Sequence, residues 1–279
     1  SYIDEQRVRY PLHYQLAFLP WLASEQTADR DALVLAARSA GVGAIVVPSV
    51  DAGNWEAVHD CCQRFPGLFP AYGIHPLYVD GVAESAMRNL REWLAAELKS
   101  ANPPVAVGEI GLDFFMPGHD AGHQEAVFIE QLKIARDFDL PVLLHVRRSV
   151  DGVLKCLRRI RVRGGIAHAF NGSRQQADEF IRLGFKLGFG GTMTYSRASR
   201  IRELATSLPL ESIVLETDAP DIPPSWLASG RNTPVELARI AGVLSGLRGM
   251  SGGEVAAATS RNACAVLRLQ CVAQRSSSI

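Results

Sequence analysis

Cysteine is scarce in this chain: there are five in 279 residues, an odd number, with Cys61 and Cys62 adjacent and no C-x-x-C pair. That argues against a disulfide framework and a thiolate zinc site, and it suits a reducing cytoplasm. Apolar runs long enough to cross a bilayer, about 18 residues or more, are missing too, as is a signal-like segment after Ser1, so no membrane is expected as a partner. Neither sign of charge is in excess, with 29 Lys plus Arg against 29 Asp plus Glu. No global field then draws the protein to a polyanion, and any such ligand must be held locally. No Pro/Gly/Ser-rich linker divides the chain, which predicts one domain over 1–270 and a flexible tail over 271–279. Nor does a G-x-G-x-x-G turn follow the first strand, which weighs against an open doubly wound sheet.

What is present is a recurring unit of short apolar run and amphipathic stretch, in a chain that is 47% hydrophobic. Strands are predicted at 8–12, 44–48, 68–72, 105–109, 141–145, 166–168, 185–189 and 213–217. Helices are predicted at 29–40, 52–64, 82–99, 121–138, 150–160, 173–183, 234–247 and 253–269, with Ser173 as an N-cap. The strand ends near 13, 48, 73, 109, 145, 168, 189 and 218 fall roughly 21 to 36 residues apart, the spacing of a (β/α)8 barrel of TIM type. In the run Val105-Ala106-Val107-Gly108-Glu109, the glutamate stands at a predicted strand end, and Gly111 is expected to turn the chain out of the barrel there.

Other strand ends repeat that pattern. His13, Glu109, His145, His168 and Asp218 all close apolar runs, so a barrel collects them around one mouth. Imidazole nitrogen and carboxylate oxygen are ligand types for zinc, manganese or magnesium, and one or two such ions can activate a water for hydrolysis. Glu109 is the natural bridge between ions, and Asp218 can serve both as ligand and as acceptor of the proton of the attacking water. Arg147 and Arg148, directly after His145, can hold phosphate oxygens, whereas Lys155, Arg158, Arg159, Arg161 and Arg163 read as a solvated helix face. Asn171, Ser173, Thr192, Thr194 and Tyr195 add polar groups on predicted mouth loops, and Trp226 is a candidate for stacking on a base or for rim packing.

Gly-Glu-Ile-Gly-Leu-Asp-Phe (108–114), Leu-Leu-His-Val-Arg-Arg (143–148), His-Ala-Phe-Asn-Gly-Ser (168–173), Gly-Gly-Thr-Met-Thr-Tyr (190–195) and Leu-Glu-Thr-Asp-Ala-Pro (215–220) resemble the TatD family of metal-dependent hydrolases. Gly-Ile-His-Pro (73–76) and Asn-Thr-Pro (232–234) match its pattern as well. The resemblance covers nearly the whole chain in order. It implies a barrel of the amidohydrolase-like group with a divalent-metal centre. It also implies hydrolysis of phosphodiester bonds in DNA, as a deoxyribonuclease working on single strands or 3′ ends. By the same resemblance Glu109, His145, His168 and Asp218 correspond to metal-site residues, and His75 to a residue lining the substrate site.

The opening motif departs from the family. Its His-x-His-Leu-Asp fits best to His13-Tyr14-Gln15-Leu16-Ala17, so Gln15 replaces one histidine, as a weak ligand at best, and Ala17 replaces the carboxylate. Another register, starting at Tyr2-Ile3-Asp4, puts Gln6 and Val8 at the histidine positions. Three functions follow: a metal-dependent nuclease, a catalytically impaired barrel that binds a protein partner or serves in assembly, or a metal-dependent hydrolase of amide or ester bonds.

Overall fold

The computed structural model describes residues 16–18, 27–82, 85–227 and 230–269. Eight strands stand in sequence order: β1 (Leu16–Phe18), β2 (Ala44–Pro48), β3 (Leu68–Tyr72), β4 (Ala106–Asp113), β5 (Val142–Arg147), β6 (Gly165–Ala167), β7 (Phe185–Phe189) and β8 (Ile213–Leu215). Each pairs with the next in parallel, and β8 comes back beside β1, which gives the expected barrel. Around it run α1 (Thr27–Ser39), α2 (Trp55–Arg64), α3 (Ala86–Glu97), α4 (Ala121–Asp137), α5 (Val150–Arg159), α6 (Arg174–Arg182), α7 (Ser199–Ser207), α8 (Leu237–Arg248) and α9 (Gly252–Leu267).

Period-two alternation divides the buried strand residues between two layers. Ile45, Val47, Leu68 and Leu144 join the large core under the helices, while Val46, Ala71, Ala106, Leu143, Ile166 and Val214 form a smaller cluster with Ala263 and Leu267 of α9. Ser173 caps α6 as expected, in a capping box with Gln176.

Three expectations need correction. Glu109 does not end its strand: β4 runs on to Asp113, with a register shift against β5 between Val107 and Ile110. Such irregularity re-aims side chains without ending the pairing. Gly111 is no turn either. Its φ is 149°, and a Cβ there would lie 2.0 Å from the His145 carbonyl oxygen, so glycine is what lets β4 and β5 stay paired. Finally, α7 was not expected, although Ile201, Leu204 and Ala205 bury one face of it at helical spacing. The strand predicted at 8–12, His13, Gln15 and the tail at 271–279 lie outside the described residues. The described β1 begins at Leu16, after both His13 and Gln15 in the chain.

Candidate metal centre

The strands deliver five of the predicted residues to one cleft of about 1500 Å³: His75, Glu109, His145, His168 and Asp218. His75 follows β3 and caps the 3-10 turn Pro76–Gly81, where its Nδ1 accepts from Leu77 N at 3.2 Å and its Nε2 lies 3.6 Å from Glu109 Oε1. His145, within β5, places Nδ1 at 3.0 Å from the same oxygen, and His168, just past β6, places Nε2 at 2.6 Å. Three imidazoles thus share one buried carboxylate oxygen. Asp218 stands on the far side of His168, its Oδ1 3.7 Å from Nδ1.

The electrostatics follow from burial and crowding. Burial opposes charge on Glu109, yet His168, His145 and His75 outweigh it and hold the carboxyl well below its usual range. At His75 burial prevails, with His145 and His168 adding to it, and the pKa falls to about 4, so the ring is neutral near pH 7. For His168, burial is outweighed by Glu109 and Asp218, and its pKa rises. Burial pushes the Asp218 carboxyl up, and it pushes Glu216 up to about 8. Glu216 Oε1 accepts from Ala169 N, while Oε2 is buried with no hydrogen-bond partner.

These residues fit a divalent cation. Ring nitrogens meeting on a single carboxylate oxygen need either a proton at each contact or a cation among them, and neutral imidazole with carboxylate is a donor set for zinc and related ions. One ligand atom each from His75, Glu109 and His145 lie within 4.8 Å of one another.

Sequence reasoning gave no role to the residues that hold this centre. Asp113 is buried and accepts from His145 Nε2 at 2.9 Å through Oδ2. Its Oδ1 accepts from Phe115 N at 2.9 Å and Met116 N at 3.2 Å. Burial opposes charge here too, but the His145 bond and the two backbone donors bring the pKa to about 2. From α4, Gln131 grips both backbone groups of Ile74, at 2.7 and 3.0 Å, and Gln124 Oε1 accepts from Asp113 N at 3.0 Å. Two buried glutamines seven residues apart are the signal that was available. Asn232 Nδ2 donates to Thr217 O at 2.8 Å and to Asp221 O, so it pins the loop that carries Asp218.

On the rim, Arg147, Arg148, Asn171 and Thr192 line the cleft as expected. Trp226 is committed to packing: its Nε1 donates to Glu236 at 2.6 Å and Arg239 covers its ring. Lys155, Arg158 and Arg163 pair with carboxylates, as a solvated face would.

A parallel barrel whose strand ends gather imidazoles around a shared carboxylate is the architecture of a metal-dependent hydrolase. The chain belongs to the TatD-related DNase family, whose profile matches residues 15–268. It is 40% identical to the metal-dependent hydrolase YjjV of Escherichia coli K12 over 85% of this chain and 90% of that protein. It is 29% identical to the 3′-5′ ssDNA/RNA exonuclease TatD of the same organism, over 86% of this chain and 94% of the relative. The crystal structure of the TatD homologue YjjV superimposes with a TM-score of 0.86 at 37% identity, covering 92% of this chain and 98% of the other.

Proposed function

We propose that this protein is a deoxyribonuclease that cleaves phosphodiester bonds of single-stranded DNA near a 3′ end, with Glu109, His145, His168 and Asp218 holding one or two ions of zinc, manganese or magnesium. The observation that carries the reading is the meeting of three imidazoles on Glu109 Oε1 inside an open cleft that guanidinium groups also line. The names of relatives that act on single-stranded nucleic acid support it. His13, with Gln15 as a weak partner, remains a candidate ligand from the first motif. When bound, a divalent ion supplies Lewis acidity, lowering the pKa of a water and drawing charge from a phosphoryl oxygen.

The chain's own groups do the rest. Asp218, its basicity raised by burial, accepts the proton of the attacking water. His75, kept neutral with Nδ1 accepting from Leu77 N, can donate from Nε2 to a substrate oxygen without adding charge. Arg147 binds phosphate at the rim. The gathering of His75, Glu109, His145, His168 and Asp218 in one cleft favours a hydrolase over an impaired binding subunit. Among the described residues four buried free cysteines favour a reducing cytoplasm, and no described helix is long and apolar enough to cross a membrane.

The test is release of nucleotides from end-labelled single-stranded DNA by protein loaded with each metal, with elemental analysis of the same samples. Glu109→Gln and Asp218→Asn should each abolish metal-dependent release while melting within a few degrees of the parent. Unchanged release in both variants would remove these residues from the reaction.

A further inference from the structure

We propose that Phe115, Arg147 and Arg148 form a clamp for a backbone phosphate other than the one being cut, so that the preferred substrate is a polynucleotide chain rather than an isolated phosphate ester. The inference rests on the nuclease reading of the site and extends it to the rim. β4 and β5 remain paired to their ends, Asp113 opposite Arg147, and Phe114 N donates to Arg147 O at 2.9 Å. That pairing carries the next residue, Phe115, over the end of β5, and the two backbone bonds to Asp113 Oδ1 fix the turn. The Arg147 and Arg148 guanidinium carbons lie 3.9 and 4.6 Å from the centroid of the Phe115 ring, within the range of cation–π attraction.

Consecutive residues of a strand point to opposite faces, so two neighbouring arginines do not ordinarily meet on one ring. Here Arg148 leaves the extended conformation, with φ 53°, and both side chains converge. A non-glycine residue in that region is strained and persists where its surroundings over-determine it. The convergence also brings two like charges together. Arg64, Arg91 and Arg158 on the helical ring, and Arg163 in the loop after α5, all meet carboxylates. Among the described residues, Arg147 and Arg148 have only the Phe115 ring. Phe115 is an exposed aromatic at 41%, and all three residues line the cleft that holds His145 and Glu109. An aromatic face that steadies two guanidiniums and leaves their N–H groups to an incoming ligand is a built anion site, and the planar fork matches phosphate. Its place on the exposed rim, apart from the buried cluster, assigns it to a neighbouring phosphate of the same chain. Phe115 is a positioning residue that acts through the two arginines.

The test is fluorescence anisotropy of a labelled, phosphorothioate-linked oligothymidylate, which resists cleavage, against the full-length protein as purified, over a series of NaCl concentrations. Phe115→Leu keeps the apolar bulk and removes the π face. It should weaken binding about tenfold at low salt and lower the salt slope by about one. Phe115→Tyr should preserve both affinity and slope. Adding Phe115→Leu to Arg147→Ala plus Arg148→Ala should cost nothing further, because the ring has nothing left to position. Parent-like affinity in Phe115→Leu, a loss with unchanged slope, or no binding by the parent protein would overturn the clamp. Competition by inorganic pyrophosphate at the oligonucleotide's own concentration would overturn its assignment to a nucleic-acid chain. The two readings fail separately: binding that responds to these variants without any cleavage sinks the nuclease, and cleavage with binding indifferent to Phe115 sinks the clamp.

Discussion

Asp113 sets the tautomer of His145, and Asp113→Asn isolates that role. In the parent, the carboxylate can only accept, so His145 Nε2 carries a proton at 2.9 Å and Nδ1 turns toward Glu109. With a metal present, that leaves the Nδ1 lone pair to serve as ligand. Burial works against charge on His145, but its bonds to Asp113 and Glu109 raise the pKa, so the carboxylates govern the ring. In Asp113→Asn the amide oxygen takes over the bonds from Phe115 N and Met116 N. The amide NH₂ then faces Nε2, which must accept, and the proton moves to Nδ1, the ligand atom. Loss of such an orienting carboxylate typically costs about 10- to 100-fold in metal affinity, or about 1.4 to 2.7 kcal/mol. The fold should survive, since shape and backbone bonds are kept. Competition for metal against a chelating dye measures the affinity, and urea unfolding of the metal-free protein gives the control. Affinity within threefold of the parent would show that Asp113 does not govern the ring.

Gly188→Ala should damage the centre from beneath, because a Cβ there would lie 2.2 Å from Glu216 Oε2 and the buried carboxylate must move; we expect at least about a tenfold fall in activity, consistent with the sensitivity of preorganised sites to small displacements, and parent-like turnover would refute it. Asn232→Ala leaves the Thr217 and Asp221 carbonyls without their donor, one of them buried, and should cost about 1 to 3 kcal/mol in urea unfolding and depress kcat. Glu216→Gln tests a pH dependence. With a folded pKa of about 8 against 4.5 unfolded, the native state keeps a proton that the unfolded chain releases. Its contribution is complete below pH 4.5 and is lost as pH rises toward 8. Relative to the parent, metal-free Glu216→Gln should therefore gain stability at about 1.4 kcal/mol per pH unit across that window. Parallel stability curves would show that Glu216 is not the group responsible.

Much of the centre was legible because each of its candidate residues stands in or just beyond an apolar run. His75, Glu109, His145, His168 and Asp218 interrupt otherwise continuous hydrophobic segments, and parallel strands require those segments to be buried on both faces. What escaped was of a different kind. Gly111 reads as a stop, yet it serves the close approach of two backbones, a property of the partner strand that no local pattern records. Gln124 and Gln131 lie on one face of an amphipathic helix; which backbone groups beside the site they hold is set by the fold. At β1 the three residues Leu16–Phe18 are too short to assert a period, and His13 drew the expected strand end upstream.

The backbone distributes strain and stability unequally along the barrel axis. Of the six described non-glycine residues with positive φ, four line the cleft: Arg148, Ala169, Asp218 and Ile222. Sparsely populated conformations of this kind cost about 1 to 3 kcal/mol each and need surroundings that impose them. Beneath the cleft, Val46, Leu143, Ile166 and Val214, closed by Leu267 of α9, form an apolar cluster. Burying each such side chain contributes about 1.5 to 3 kcal/mol, so a few of them offset the strained mouth. Asn232, Gln131 and Asp113 each hold a backbone segment at the mouth through a polar contact. The candidate metal-binding residues therefore stand in positions that flexible loops would not keep, and the cleft holds them as a crowded set of imidazole–carboxylate pairs.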